Sequence, residues 1–209
     1  MKKILLLLIT VSSLSAVAQE KWNLNVRPRV NFSNASFKNT ITNYSSKLNA
    51  DAAFGLGVEV ESVLNINKNK WALTLEPTYH YAKAEETVDH DGYVGGKLTS
   101  VLDYKVLELP LGVRHYMFLN ENSKLHLDAQ FSVNFNLDSH LTRKRADGSE
   151  ISSLKLKNKS NFALGFGYKY KNKYGAQLKY SFARNIMSEY VYWDAKYNTL
   201  SFILSYNLL

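Results

Sequence analysis

Apolar and polar residues alternate one by one along most of the chain. Between Trp22 and Phe32 the apolar residues occupy every second position, and polar residues such as Arg27 lie between them. A period of two residues is typical of a β-strand with one apolar face. The alternation recurs and predicts eight strands, over residues 22–32, 52–64, 71–82, 101–118, 124–137, 160–170, 174–183 and 197–208.

Two positions interrupt the alternation. Pro28 has no backbone N–H to donate to a neighbouring strand, which predicts a local irregularity in the first strand. In the fourth predicted strand the apolar phase shifts near residues 104–107. A shift of phase within one strand is typical of a β-bulge, so we expect a bulge there.

The connections between the predicted strands are alternately short and long. The short ones cover residues 65–70, 119–123 and 171–173, and the long ones cover roughly 33–51, 83–100, 138–159 and 184–196. Short turns at one end and long loops at the other are typical of an up-and-down antiparallel barrel. Weak alternation around Asp147-Gly148 predicts a protruding hairpin in the third long loop. An alternative is that this hairpin joins the wall and makes ten strands.

The bulky apolar faces decide which side of the barrel faces outward. The interior of an eight-stranded barrel is only just wide enough for side chains. The opposite faces carry small or polar residues such as Gly55, Gly57 and Gly165, which suit a narrow interior. The apolar faces must therefore point outward into lipid. Aromatic residues near both ends of the strands predict two belts at the membrane interfaces. Tyr197 is assigned to the belt at the long-loop end. The predicted fold is all-β, an eight-stranded antiparallel up-and-down transmembrane β-barrel.

The N-terminal segment has the features of an export signal. Lys2 and Lys3 precede an apolar run over residues 4–11, and Ala16-Val17-Ala18 forms a small-residue cleavage motif. We interpret residues 1–18 as a signal peptide and residues 19–209 as the barrel domain of the Gram-negative outer membrane. The chain contains no cysteine, which excludes disulfides, a lipid-modified cysteine and cysteine-based zinc sites.

The segment Leu107-Glu108-Leu109-Pro110-Leu111-Gly112-Val113-Arg114 resembles a strand of the PorT-like outer-membrane β-barrel proteins. That family is similar in architecture to OmpX and to the OmpA barrel. The resemblance extends by pattern over residues 19–209. It implies the fold and the location, and only by association a secretion-accessory role.

Charged residues fall on the predicted inward faces in balanced number. They are Arg27, Arg29, Glu59, Glu61, Glu76, Glu108, Arg114, Asp128, Lys169 and Lys179. Ionisable groups inside a membrane protein are usually paired, so we expect a salt-bridge network that plugs the interior. Glu59 and Glu61 are expected to pair with Arg27 and Arg29. The alternative is a narrow polar path for ions or small solutes.

The loops carry the remaining candidates for binding. The net charge is +8, but the basic residues are scattered, which argues against nucleic acid. We interpret the run of Arg143, Lys144 and Arg145 as a charged, soluble loop, and the alternative is contact with outer-membrane lipid or lipopolysaccharide. The aromatic residues of the last loop, which could equally complete the outer belt, are candidates for contact with a protein partner. They are Tyr190, Tyr192 and Trp193.

The sequence predicts no catalytic, cofactor or metal site. Asp89-His90-Asp91 is the one loop cluster of mixed acid and imidazole groups, and we interpret it as a solvated loop. No nucleophile-elbow, zinc-protease or phosphate-loop motif occurs. Three hypotheses remain: a non-enzymatic plugged barrel that acts through its loops, a narrow pore, and an outer-membrane enzyme that modifies lipid or peptide and depends on His90.

Overall fold

Eleven β-strands make up the computed structural model, which describes residues 22–41, 45–89, 96–157 and 160–209. They are β1 (Trp22–Asn39), β2 (Ser45–Leu64), β3 (Trp71–Leu75), β4 (Thr78–Asp89), β5 (Lys97–Phe118), β6 (Ser123–Asn136), β7 (His140–Arg145), β8 (Glu150–Lys155), β9 (Asn161–Tyr170), β10 (Tyr174–Asn185) and β11 (Trp193–Asn207). The described residues contain no helix long and apolar enough to cross a membrane. The predicted signal peptide lies outside the described residues.

Antiparallel pairing joins the strands into a closed ring. Each wall strand pairs with its sequence neighbours, and β1 pairs with β11 to complete the circle. Three wall strands consist of two segments in line: β3 with β4, β6 with β7, and β8 with β9. The described ring therefore has eight strands, as predicted. The ten-strand alternative is wrong. β6 pairs with residues 106–118 of β5 and β7 pairs with residues 98–103, so β7 continues the wall strand of β6 and adds no strand to the ring.

The backbone irregularities agree in part with the sequence. The ladder between β1 and β11 is interrupted at Pro28, as predicted: pairing stops after Val26–Tyr206 and resumes at Arg29–Ile203 with the register unchanged. A shift of register, which was not predicted, lies in β1 between Asn31 and Ser33, on the β2 side. The third predicted strand is broken at Glu76–Pro77, where proline cannot donate to the ladder.

A broad apolar band covers the outside of the barrel next to the short turns. Its side chains are largely exposed, for example Phe54 at 76% and Leu111 at 61%. On β1 the band runs from Trp22 to Phe32, ten residue steps, or about 33 Å along the strand. With the strand tilt of roughly 40° usual in such barrels, the band is about 25 Å high. The prediction of an outward apolar face is confirmed.

Above this band the two faces of the wall exchange character. On β5, Leu107 and Leu109 face outward within the band, whereas Asp103 and Lys105 face outward above it. The inward residues above the band are apolar, as at fully buried Tyr104. Burial alternates without interruption along β5, and its register with β4 is constant. The predicted bulge near residues 104–107 is wrong. The strand is regular there, and the phase shift in the sequence arises because the outward face passes from lipid to water while the inward face becomes apolar.

The segments above the band, which we call the extension, enclose an apolar core of their own. The extension comprises residues 33–39, 45–51, 82–89, 97–106, 140–156 and 184–199. Its buried core consists of Ala35, Phe37, Leu48, Ala82, Ala84, Leu102, Tyr104, Val106, Leu141, Leu156, Ile186, Met187, Ala195 and Tyr197. Tyr197 is therefore inside the barrel, and its assignment to the outer aromatic belt is wrong.

The extension is arranged as two groups of strands. Between β2 and β4 the ladder covers only three pairs, the uppermost being Gly55 with His80. Above that level one group consists of β2, β1, β11 and the end of β10, paired in that order, and the other is a four-stranded sheet of β4, β5, β7 and β8. The hairpin of β7 and β8 turns at Gly148, whose φ is +82°. The prediction of a protruding hairpin there is confirmed.

Candidate functional site: the barrel interior and the extension

All ten charged residues assigned to the inward faces lie buried inside the barrel. Their exposed fractions range from 0% at Glu76 to 6% at Glu108. They sit on the same strand faces as the glycines, and a Cβ at Gly57 would meet Glu76 and Arg29 side-chain atoms within 3 Å. The small residues thus leave the space that these long side chains fill.

Arg114 on β5 lies at the centre of the network. Its guanidinium donates to both oxygens of Asp128, with Nε–Oδ1 at 2.7 Å and Nη2–Oδ2 at 2.9 Å. It also donates to both oxygens of Glu59, at 3.1 Å and 2.8 Å, and to Glu61 at 3.3 Å. One cation therefore joins three carboxylates from β2 and β6.

A second group of ion pairs lies next to it on the β1 side. Glu76 accepts from Arg29 and lies 3.3 Å from Arg27 Nε and 3.4 Å from Lys179 Nζ. Arg27 also donates to Glu59, which connects this group to Arg114. The expected pair of Arg27 with Glu59 is present, but Arg29 pairs with Glu76 because its side chain crosses to the wall strand beyond β2.

Toward the short turns the network ends in contacts made by two lysines, a tyrosine and a histidine. Lys169 Nζ donates to Glu61 over 2.8 Å, and the Tyr116 hydroxyl donates to the same carboxylate. Lys124 Nζ lies 3.8 Å from the centre of the Tyr116 ring. His126 contacts Asp128 at 3.0 Å. The interior at this end is filled by side chains that hold one another in place.

Arg184 was missed by the sequence reasoning. It pairs with Glu108, and its Nη1 lies 3.2 Å from the Tyr104 hydroxyl. The sequence assigned residue 184 to a loop, whereas a register shift between Ser181 and Arg184 turns this side chain inward. The pair separates the charged network from the apolar core of the extension.

The structure separates the residues predicted for loop binding. Arg143 lies on the inner side of the hairpin with its guanidinium carbon 4.8 Å from the Trp193 ring centre. Lys144 faces outward, and Arg145 is exposed at the hairpin turn. Tyr190 packs against the apolar core, whereas Tyr192 is 57% exposed beside Val191, which is 87% exposed.

Metal-binding chemistry is absent from the part of the chain that the structure describes, which contains no group of three or more His, Cys, Asp or Glu residues able to hold a metal ion. His90 and Asp91 of the acidic loop lie outside the described residues. At the hairpin turn, hydrogen bonds from the Ser149 side chain and backbone lower the pKa of the Asp147 carboxyl. These bonds stabilise the turn and supply no reactive group.

A closed ring with an outward apolar band and a buried charged interior defines a transmembrane β-barrel. A family model described as outer membrane protein beta-barrel domain matches residues 17–187. The chain belongs to this family, and its place is the outer membrane of Gram-negative bacteria. The short turns then face the periplasm and the extension faces the medium.

The chain is similar to several solved structures of bacterial surface and outer-membrane proteins. Neisserial surface protein A is 13% identical with a TM-score of 0.43, covering 90% of this chain and all of that chain. Ail, the attachment invasion locus protein of Yersinia pestis, is 12% identical with a TM-score of 0.42, covering 89% and 99%. OprG from Pseudomonas aeruginosa is 15% identical with a TM-score of 0.44, covering 90% and 95%. No curated protein sequence matches the chain.

Proposed function

We propose that the protein is a non-enzymatic, sealed barrel that anchors the extension at the cell surface, where the extension provides a surface for adhesion or partner binding. The observation that carries this proposal is the filling of the interior at two levels. Ion pairs centred on Arg114 cross the barrel within the membrane, and the apolar core around Tyr104 lies above them. A barrel filled in this way has no continuous path for water-borne solutes.

The extension supplies the features that a partner would contact. Val191 and Tyr192 form an exposed apolar pair between β10 and β11. Exposed aromatic side chains are frequent centres of binding energy at protein interfaces. The hairpin of β7 and β8 is held to the wall by pairing with β5, so it presents a preformed surface. A preformed surface loses little conformational entropy when it binds.

A narrower assignment to the PorT-like group, with a secretion-accessory role, is also part of this proposal. It rests on the segment from Leu107 to Arg114. In the structure this segment occupies the level where the outward face becomes apolar and the inward face becomes charged. The motif thus marks a position that the barrel needs for its fold, and it carries less weight for the role than for the architecture.

Single-channel recording in a planar lipid bilayer tests whether the interior is sealed. The refolded full chain is inserted, and folding is checked by the heat-dependent shift in gel mobility. We expect no stable current steps from the wild type. Stable steps that change with Glu59→Gln or Arg27→Gln, and not with the exposed change Lys157→Gln, would overturn the sealed barrel and make transport the leading function.

A further inference from the structure

The outward face of the four-stranded sheet β4–β5–β7–β8 carries a polar groove. Its volume is about 390 Å³. The lining residues are Lys83, Val101, Asp103, His140, Thr142, Lys144, Glu150 and Ser153. These residues come from all four strands, so the groove is a feature of the sheet and not of one mobile loop.

Cross-strand register orders the side chains of this face into rows. The last apolar row of the membrane band is Tyr79, Leu107 and Phe135. The next row pairs Tyr81 with Lys105. The row after it runs across the sheet as Lys83, Asp103, His140 and Lys155. The floor of the groove therefore begins two rows above the apolar band.

These rows lie at the height of lipid headgroups. Four residue steps separate Leu107 from Asp103, or about 13 Å along the strand and about 10 Å in height at a tilt of roughly 40°. The headgroup layer on each side of a bilayer is about 5–8 Å thick. The backbone of Lys105 thus lies within that layer, about 5 Å above the band. The backbones of Lys83 and Lys155 lie a few ångströms above the layer, within reach of an extended lysine side chain.

The charge at this height is positive. Lys83, Lys105 and Lys155 point outward at this height, where the described carboxylates are Asp103 and Asp138. Asp103 accepts from Lys105 over 3.4 Å, with both side chains about one-third exposed. His140 has Asp138 at 3.4 Å as its acidic neighbour. Lys83 lines the groove, and Lys155 lies beside it in the same row. Among the described residues neither lysine takes part in an ion pair, so both charges are available to an anion.

We propose that this groove binds the phosphorylated sugar headgroup of the glycolipid that forms the outer leaflet. The phosphate would lie at the lower rim of the groove, where Lys83 lines it and Lys105 and Lys155 flank it. The sugar hydroxyls would meet the polar residues higher in the groove, among them Thr142 and Ser153. The acyl chains of the same molecule would follow the outward apolar row of Tyr79, Leu107 and Phe135. This inference does not depend on whether the interior is sealed.

Binding of diphosphoryl lipid A to the refolded full chain in detergent tests the proposal, with native mass spectrometry as the readout. The double change Lys83→Gln with Lys155→Gln is expected to weaken binding about 30-fold, from roughly a fivefold contribution per lysine near a membrane surface. The matched control is Lys38→Gln with Lys196→Gln, which removes two exposed lysines from the opposite strands β1 and β11. The control is expected to bind within about twofold of the wild type.

Two further arms identify the ligand. Fully dephosphorylated lipid A is expected to bind the wild type as weakly as diphosphoryl lipid A binds the groove variant. Phosphatidylglycerol, which has one phosphate and no sugar, is expected to bind the wild type more weakly than diphosphoryl lipid A does and to lose less affinity in the groove variant. Equal losses in the groove and control variants, or a groove effect that persists without the phosphates, would overturn the proposal. The heat-dependent gel shift establishes that every variant is folded.

Discussion

Removal of the Arg114 side chain tests whether the interior network stabilises the barrel. In Arg114→Met the side-chain volume is largely kept, but the five hydrogen bonds to carboxylates are lost. Glu59 keeps its contact with Arg27, and Glu61 keeps Lys169. Asp128 keeps hydrogen bonds from His126 and Gln177 but has no cation left.

The expected loss follows from that one unpaired carboxylate. Breaking a buried ion pair by removing one partner typically lowers the free energy of unfolding by about 3–5 kcal/mol. We expect Arg114→Met to fall in this range. A second change, Asp128→Asn, removes the unpaired charge and is expected to restore about half of the loss. The recovery distinguishes electrostatic damage from a packing defect, because Asp128→Asn leaves the packing almost unchanged.

Equilibrium unfolding in urea, with the protein folded into lipid vesicles, measures the effect through tryptophan fluorescence. The control is Lys157→Met, which breaks the pair with Glu189, where the two side chains are 51% and 58% exposed. An exposed ion pair contributes at most about 1 kcal/mol. The network is not a source of stability if the free energy of unfolding of Arg114→Met lies within about 1 kcal/mol of the wild-type value, or if adding Asp128→Asn restores none of the loss.

Three other changes test the remaining features of the wall. Gly112→Ala is expected to lower the free energy of unfolding by about 1–3 kcal/mol in the same urea assay, because the new Cβ would lie 2.8 Å from a backbone oxygen. Gly175→Ala is the control and should cost less, because the nearest atom there belongs to a hydroxyl that can rotate away. Leu111→Lys places a charge in the apolar band and is expected to lower the free energy of unfolding by about 2–4 kcal/mol. Val101→Lys lies on the same face of β5 above the band and should leave the stability almost unchanged. Equal losses in the two variants would refute the position assigned to the membrane boundary. Leu102→Ala removes a buried side chain of the extension core and is expected to increase protease cleavage in the extension of vesicle-inserted protein while the gel shift persists, with Val101→Ala as the neutral control.

The eight-stranded wall was predictable because one physical condition acts along its whole length in the membrane. Within the band every outward position contacts lipid, so the hydrophobic period and the strand period coincide. The strand ends were not predictable in the same way. β1 was expected to end at residue 32 and continues to Asn39. Its outward residues become polar there, with Asn34 and Lys38 exposed, while Phe37 becomes buried.

The same reason limited the prediction of the interior. A residue's inward orientation follows from strand parity, so the ten charged residues could be identified from the sequence. Their partners depend on reach across the barrel and on local shifts of register. Arg184 lies beyond such a shift, so parity assigns it to the wrong side. At residues 104–107 the apolar residues move from the inward to the outward positions while the alternation continues. This change of face is the sequence signal that would have located the membrane boundary.

The seam between β1 and β11 constrains how the protein can be assembled. Asn25 pairs with Asn207, and the Leu208 N–H donates to the Leu24 carbonyl over 2.8 Å, so the first and last strands are joined directly. Until the last strand arrives, β1 and β10 both have an open edge, and unpaired backbone groups are costly in lipid. A partly synthesised chain therefore cannot enter the bilayer strand by strand as a stable species. The pairing of β11 with β1 is the step that removes the last open edges, so stable insertion requires both strands to be present.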